Sequence, residues 1–302
     1  MHFGLVLKTY RGDYAYAKRL LESFHKYNVD SLSLIVVVPR EDINFFAEVV
    51  CETVILIADS EIPVQQFQVG DLPRRFRSNR DSAPEVGYLN QRILKLGFHR
   101  LQIFDAFLVV DSDTEFVRPI RRSDYIGDSE RPIVSRRPLS DLQRDAFYWQ
   151  RYGAHLQGEL ASLQQLLVPQ RPYADVNFCN QVISAAAMSR FENEFLNPRG
   201  LDFRGIIALS EYEMLWYLRW CETHCLDLVE FGGERTLTIH HQGQHLNLVN
   251  YSTGFVEIPP EYAAVIVNSN WSRQYGVVGF DSPPLLRYLS EGAYAEWLRL
   301  RA

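Results

Sequence analysis

Two aspartates one residue apart, Asp111 and Asp113, are the residues of this 302-residue chain whose types and spacing best indicate chemistry. They directly follow the apolar run 107–110, which has the pattern of a buried strand. If the strand continues through them, both carboxylates point the same way, because side chains alternate along a strand. Paired carboxylate oxygens suit Mg²⁺ or Mn²⁺, with water and phosphate as further ligands. The motif therefore predicts a divalent-metal site; the alternative is two solvated turn carboxylates.

Strands and helices alternate before this Asp-x-Asp (DxD) motif, an order that would place it at the edge of a sheet. The predicted strands are 2–7, 32–38, 53–57 and 107–110, and the predicted helices are one capped by Asp13 and two at 44–50 and 88–100. Continuous apolar strands separated by helices indicate a mainly parallel sheet with helices on both faces. Ligands bind beyond the carboxyl ends of such strands. The predicted fold class is therefore α/β, with a Rossmann-like sheet and the DxD motif at a strand end.

The second half of the chain has a less regular pattern. Helices are predicted near 140–166, 190–196 and 211–224, and strands near 181–187, 226–230, 235–240 and 263–268. The order suggests an elaboration of the same sheet, and no composition change marks a linker. We therefore predict a single domain over 1–302.

Lys95 is one of only four lysines, and it lies off the apolar face of the helix predicted at 88–100. Gln91 lies one turn before it on the same face. A cation here could hold phosphate; the alternative is an ordinary solvated lysine. The preceding loop, 69–87, contains four arginines that either order around a ligand, meet an anionic surface or stay solvated: Arg74, Arg75, Arg77 and Arg80.

An acidic residue opens the helix predicted at 211–224. Ser210 and Glu213 have the spacing of a capping box, so Glu213 is expected to reach back to the Ser210 amide. This would leave Glu211 to face elsewhere, and the positive helix end would favour its ionised form. Glu211 is therefore the predicted general base; the alternative is a glutamate that only interacts with the helix dipole.

Two adjacent histidines, His240 and His241, follow the strand predicted at 235–240. Alternation along the strand does not decide which of them faces a site, although His240 is the better candidate for packing. His245 has the spacing of one helical turn from His241, but Gly243 between them predicts that no helix forms there.

Charge and composition exclude several classes of protein. Lys and Arg number 31 against 37 Asp and Glu, a net charge of −6 that argues against a nucleic-acid partner. No apolar run approaches the roughly 18 residues of a membrane helix, and the first residues lack the basic start of a signal peptide. The expected location is the cytoplasm. Cys221 and Cys225 flank His224, but in an apolar stretch they are expected to be buried thiols rather than metal ligands.

The order of elements, together with the segment 87–96 shortly before 109–113, resembles GT-A-type glycosyltransferases that use nucleotide sugars, and within them a bacterial branch. The resemblance implies that Asp113 binds the metal directly and that Asp111 contacts the ribose or the metal. Mn²⁺ or Mg²⁺ would bridge the donor diphosphate. It also implies a nucleotide-binding half over 1–114 and an acceptor side with a C-terminal helix over 115–302.

Further site residues follow from the same resemblance. Thr9 and Tyr10 would surround the nucleotide base, with Asp59 or Asp13 on ring or ribose hydrogens and Gln91 and Lys95 beside the donor. A late histidine, His241 in preference to His240, would complete the metal shell. Three polar residues would hold sugar hydroxyls: Asp175, Asn177 and Asn180. Glu211 would face the acceptor hydroxyl in an inverting enzyme, whereas a retaining enzyme needs no such base.

The expected function is a metal-dependent glycosyltransferase that moves a sugar from a nucleotide-sugar donor to an acceptor hydroxyl in bacterial polysaccharide synthesis. The acceptor would be a saccharide, free or lipid-linked, and the amphipathic segment 285–300 either lies on the inner face of a membrane or packs on its own domain. One alternative is a non-catalytic module that binds nucleotide sugars. Phosphatases of the haloacid-dehalogenase type prefer Thr or Val where Glu115 stands, and phosphoribosyltransferases need a phosphate loop that 114–117 does not supply.

Overall fold

The computed structural model describes residues 1–70, 72, 83–167, 174–178, 180–250 and 255–269. The strands are β1 Phe3–Lys8, β2 Leu34–Val38, β3 Val54–Ala58, β4 Ala106–Val110, β5 Thr114–Phe116, β6 Ile133–Ser135, β7 Arg137–Pro138, β8 Asp175–Val176, β9 Gln181–Ser184, β10 Glu230–Gly232, β11 Thr236–Ile239, β12 Val249–Asn250, β13 Phe255–Val256 and β14 Ala264–Val267. The α-helices are α1 Tyr14–Tyr27, α2 Ile43–Phe46, α3 Ala83–Gly97, α4 Leu139–Arg144, α5 Ala146–Leu167, α6 Ala185–Phe191, α7 Phe203–Leu209, α8 Glu213–His224 and α9 Gln242–Asn247.

The chain forms two compact units. Unit 1 consists of Met1–Arg11, Ser31–Val110 and Arg121–Gly233, and unit 2 consists of Gly12–Asp30, Asp111–Ile120 and Glu234–Ala302. Among the described residues, no helix is both long enough and apolar enough to cross a membrane.

The central sheet of unit 1 has the strand order β3-β2-β1-β4-β9. Its first four strands are parallel, and only β9 runs antiparallel, beside β4. This confirms the predicted α/β class with a mainly parallel sheet. Because the four parallel strands point the same way, their carboxyl ends lie at one edge, and Asp111 follows β4 directly along the chain.

Close packing in this sheet depends on a glycine in β1. The buried ring of Phe104 occupies the space where a side chain at position 4 would stand, and a Cβ on Gly4 would lie 2.2 Å from a ring carbon. Gly4 thus lets the ring pack against the strand backbone. Around the sheet, α8 contributes large buried side chains such as Trp216, Tyr217 and Trp220, and Cys221 and Cys225 are buried thiols, as predicted.

Unit 2 contains a three-stranded sheet with the order β11-β14-β5. Strands β11 and β14 are parallel, and β5 runs antiparallel to β14. Ile239, Val265 and Val267 form its small apolar core. Helix α1 packs on β5, where Phe24 and Phe116 have ring centroids 6.3 Å apart.

The strand does not continue through the DxD motif, because the Thr114 amide donates to the Asp111 carbonyl (3.0 Å) and closes a turn. The condition under which both carboxylates would point the same way is therefore not met. Two local predictions are wrong. The capping box does not form, because the Ser210 amide donates to Ile206 O (2.9 Å) and Ser210 ends α7 instead of starting α8. A helix does form after His241: α9 includes Gly243, and the His245 amide donates to the His241 carbonyl (3.4 Å).

The second half departs further from the predicted pattern. Among the described strands of the second half, β9 alone joins the central sheet. The strand expected at 181–187 ends at Ser184, whose hydroxyl accepts from the Ala187 amide and caps α6. The helix expected at 140–166 divides at Asp145, whose carboxylate accepts from the Tyr148 amide (2.9 Å) and starts α5. The four arginines Arg74, Arg75, Arg77 and Arg80 and the segment 285–300 lie outside the described residues.

Candidate functional site

Several predicted donor residues of unit 1 lie at the carboxyl edge of the central sheet. Thr9 is almost fully buried, whereas Tyr10 is 45% exposed. Lys8 Nζ donates to the Thr9 carbonyl (3.0 Å) and lies 3.7 Å from Asp59 Oδ2. The edge therefore joins the ends of β1 and β3 through a buried lysine, and Tyr10, which follows Thr9 in the chain, has an exposed aromatic ring.

Burial shapes the protonation of this pair. It lowers the pKa of Lys8, against the raising effect of Asp59, and it raises the pKa of Asp59, against the lowering effect of Lys8. Each ion is therefore stabilised in place by the other. The sequence analysis missed Lys8, although a lysine that ends an otherwise apolar strand was a visible signal.

The DxD motif lies in unit 2, in the turn between β4 and β5. Asp113 Oδ2 accepts a hydrogen bond from the Ser269 amide (2.8 Å). Burial and the neighbouring Asp111 carboxylate raise the pKa of Asp113 to about 6, and Asp13 adds to the same effect. Asp13 stands at the N-cap position of α1, as predicted, but its side chain makes no capping hydrogen bond. Two neighbouring carboxylates, Asp111 and Asp13, therefore act on Asp113.

The two predicted histidines follow β11, at the edge of the same small sheet as Asp113. The Asn268 amide donates to Ile239 O (3.2 Å), and the Val267 amide donates to Asp113 O (3.4 Å). The end of β14 therefore separates the backbone of the histidines from that of Asp113 by about two strand spacings, roughly 10 Å. The His240 amide donates to Gln244 Oε1 (2.7 Å), and His241 stands at the N-cap position of α9.

The carboxylates at this turn fit a hard divalent ion. Mg²⁺ characteristically takes one or two protein carboxylates and completes its shell with water and substrate phosphate. Asp111 and Asp113 supply such a pair, and their mutual repulsion is the kind that a cation relieves. Among the described residues, no three His, Cys, Asp or Glu side chains form a metal-holding group. His241 as a third ligand therefore stays a prediction.

Glu211 lies in a row of three charged or ionisable side chains in unit 1. Its Oε2 is 3.2 Å from Arg92 Nη1 on α3, and its Oε1 is 3.2 Å from His155 Nε2 on α5. Arg92 also donates to the Glu211 carbonyl and to the Tyr88 hydroxyl. Both carboxylate oxygens are thus engaged, and the sequence analysis missed Arg92 and His155 because they are distant along the chain.

Lys95 and Glu213 form a buried ion pair beside this row. Lys95 Nζ lies 3.2 Å from Glu213 Oε1, and Arg92 Nε lies 3.7 Å from Glu213 Oε2. Each partner of the Lys95–Glu213 pair is 5% exposed. Gln91, one turn earlier on α3, is half-buried. Lys95 is therefore not the solvated lysine of the alternative prediction, and a donor role for it stays a prediction.

The three predicted sugar-binding residues lie near β6 and β9. Asp175 Oδ2 is 3.2 Å from Arg136 Nη1, a residue that the sequence analysis missed. Asn177 Nδ2 donates to the Ser135 carbonyl (3.3 Å). Asn177 and Asn180 are 1% and 5% exposed, so both amides are part of the folded interior.

The comparisons with known proteins give the following similarities. The chain matches no family model and no curated protein. Among solved structures, it is similar to mouse xyloside xylosyltransferase 1 in its apo form, with a TM-score of 0.49 and 13% identity over 89% of this chain and 98% of that one. It is also similar to the apo bifunctional glycosyltransferase WbbM, with a TM-score of 0.45 and 11% identity over 88% of this chain and 46% of that one. Similarity at this level assigns neither fold family nor activity.

Proposed function

We propose that this chain is a metal-dependent glycosyltransferase of the GT-A type, which moves a sugar from a nucleotide-sugar donor to the hydroxyl of a saccharide acceptor. The observation that carries the proposal is the Asp111–Asp113 pair, which directly follows a buried parallel strand and whose carboxylates act on each other. Ligand sites of α/β sheets characteristically lie beyond such strand ends.

The proposed donor residues have complementary chemistry. Tyr10 offers an exposed ring on which a nucleotide base can stack, and Asp59 offers a carboxylate that accepts hydrogen bonds from a ring or ribose. Lys8 fixes the Thr9 carbonyl and thereby the start of the loop. Asp111 and Asp113 would hold Mn²⁺ or Mg²⁺, and the bound ion would neutralise charge on the diphosphate leaving group.

A panel of nucleoside diphosphates and nucleotide sugars tests this proposal by thermal unfolding, each with Mn²⁺ and with EDTA. A donor at a hundred times its dissociation constant adds about 2.7 kcal/mol to the free energy of unfolding. We expect a shift in Tm with one base, present with Mn²⁺ and lost in Asp113→Asn. Asp128→Asn, at an exposed position of unit 1, is the matched control and should keep the shift.

The remaining outcomes separate the alternatives. A shift that survives EDTA or Asp113→Asn would contradict the metal role of the pair. Donor binding without transfer to any acceptor or to water would favour the non-catalytic module. Release of inorganic phosphate from simple phosphomonoesters, lost in Asp111→Asn, would favour the phosphatase.

A further inference from the structure

Three rings form a strip along one face of α5 in unit 1. Tyr148, Tyr152 and His155 have the spacing i, i+4 and i+7, which places them on one side of the helix. The ring centroids of Tyr148 and Tyr152 are 5.1 Å apart. Tyr148 is buried, whereas Tyr152 is 36% exposed and the His155 side chain is 51% exposed. Side-chain exposure therefore increases along the strip from Tyr148 to His155.

Two further aromatic side chains extend the strip beyond α5. Tyr212, just before α8, has its ring centroid 5.7 Å from that of His155. Phe178 meets Tyr212 edge-on at 5.3 Å. We call the set Tyr152, His155, Phe178 and Tyr212 the aromatic surface. Such rings are large, stiff and amphipathic, so they offer contact area at a low entropic cost.

Hydrogen-bonding groups lie directly beside these rings. Glu211 Oε1 contacts His155 Nε2 at 3.2 Å, and this is the hydrogen bond that orients the imidazole. Within the described part of the chain, the other ring nitrogen of His155 has no hydrogen-bond partner. The aromatic surface therefore presents an oriented imidazole nitrogen next to apolar ring faces.

The charges beneath the surface cancel. Arg92 and Lys95 provide two positive charges, and their partners Glu211 and Glu213 provide two negative charges. Both of these cations are already paired at short distance. Arg151 on α5 adds a guanidinium group 5.6 Å from the centroid of the Tyr152 ring. Aromatic rings flanked by hydrogen-bonding groups suit a ligand that has both apolar and hydroxyl-bearing faces.

We propose that the aromatic surface binds the acceptor saccharide, a role that rests on the proposed glycosyltransferase function. A pyranose ring presents a face of C–H groups, which pack on Tyr152 and Tyr212, and hydroxyls around its rim, which hydrogen-bond to His155 and Glu211. This assigns acceptor binding to α5 and the start of α8, rather than to the buried amides of Asn177 and Asn180.

Saturation-transfer NMR on the full chain tests the assignment without any need for catalysis. The probes are methyl glycosides of glucose, galactose, mannose and xylose and the β-linked disaccharides cellobiose and lactose, with UMP as the nucleotide arm. We expect saturation to reach the C–H protons of one sugar face in at least one probe. Tyr152→Ala should weaken that binding about tenfold, which corresponds to the energy of one good aromatic contact.

Matched variants separate a binding role from a folding role. Tyr152→Phe keeps the ring and should bind as wild type does, and Phe147→Ala removes an exposed ring from the same helix outside the aromatic surface and should also bind normally. His155→Ala should weaken binding, and its unfolding midpoint shows whether the fold is intact. The donor-dependent Tm shift should be unchanged in Tyr152→Ala, because Tyr10, Asp59, Asp111 and Asp113 are not part of the aromatic surface.

Three results would overturn the assignment: no saccharide probe binds wild type, Tyr152→Ala binds as tightly as wild type does, or UMP is the only probe that Tyr152→Ala loses. A wild type that binds saccharides but shows no donor shift would instead contradict the proposed function and leave the saccharide site standing. The failure of the saccharide site and the failure of the proposed function are therefore distinguishable.

Discussion

Lys95 and Glu213 illustrate how single residues of this protein carry charge into the interior. Both are almost fully buried, and their charged atoms lie 3.2 Å apart. An isolated buried ion would cost several kcal/mol, so each of these ions requires its partner. Lys8 and Asp59 follow the same rule at the sheet edge. In both places a buried lysine of unit 1 is therefore paired with a carboxylate.

His245 is also buried, and it avoids the cost of a buried charge by remaining neutral. It is 2% exposed, and burial lowers its pKa to about 4. The unfolded chain, with a histidine pKa of about 6.5, binds the proton first as the pH falls. His245 therefore lowers the free energy of unfolding between about pH 6.5 and pH 4, by about 3 kcal/mol in all. Urea unfolding of wild type and His245→Leu across this range measures the effect.

The comparison of wild type with His245→Leu separates the effect of the imidazole from that of the many carboxylates that titrate in the same pH range. We expect the difference in unfolding free energy between wild type and His245→Leu to move steadily in favour of the variant as the pH falls. Above pH 7 the difference should be constant. A difference that does not change with pH would show that the imidazole stays neutral for another reason, or is solvated.

For single residues, the sequence predicts a functional role where the signal is local, and it does not reveal contacts between residues that are distant along the chain. The DxD pair was found because two carboxylates and a strand lie within seven residues. The role of Glu213 was not predicted, because its partner Lys95 lies 118 positions earlier in the chain. The local sequence pattern around Glu213 instead indicated a capping box. His155 was missed for the same reason, since only the fold brings it to Glu211.

Among the elements, β1 is the one whose packing is most tightly defined. Every residue of β1 is buried, and Gly4 accommodates the ring of Phe104. Helix α5 offers the contrast, because a Cβ at its interior residue Gly158 would meet nothing within 4 Å. Replacement of glycine by alanine is therefore expected to change the free energy of unfolding in opposite directions in β1 and α5.

Gly4→Ala should lower the free energy of unfolding by about 2 kcal/mol, because the new methyl group overlaps a buried ring. Gly158→Ala should raise it by up to about 1 kcal/mol, because alanine restricts the unfolded chain and suits a helix. Urea unfolding of both variants checks the signs. Phe104→Leu combined with Gly4→Ala should recover part of the loss, and equal signs for the two glycine variants would contradict the packing described for β1.

The elements of the first half were predictable because their signals are local and long. Four apolar runs predicted β1 to β4 to within two residues at each end. The elements of the second half were less predictable, because its strands span two to four residues and pair with strands that are distant in the sequence. Strand β9, for example, is placed by pairing with β4, and its short apolar run does not reveal that it ends at Ser184.

For the molecule as a whole, the important feature is that each compact unit draws on three separate stretches of chain. Unit 1 needs residues beyond position 121 to complete its sheet, since β9 covers the edge of β4. It also needs them to neutralise α3, since Glu211 and Glu213 pair with Arg92 and Lys95. We therefore expect that the nucleotide-binding half 1–114, which the resemblance implies, does not fold by itself.

A fragment that contains only residues 1–114 should fail to fold. Strand β4 would expose an unpaired edge, and Arg92 and Lys95 would lose their carboxylate partners. We expect poor dispersion of amide chemical shifts and no cooperative urea transition, while the full chain under the same conditions shows both. A well-dispersed spectrum with a cooperative transition would mean that the first half is an autonomous folding unit after all.

The contact between Gly4 and Phe104 also has a consequence for inheritance. A side chain gained at position 4 overlaps the ring at position 104, so the effects of substitutions at the two positions on stability should not add. A change at position 4 should therefore be better tolerated in a chain that already has a smaller residue at position 104. The order in which the two substitutions arise then matters, although the positions lie one hundred residues apart in the chain.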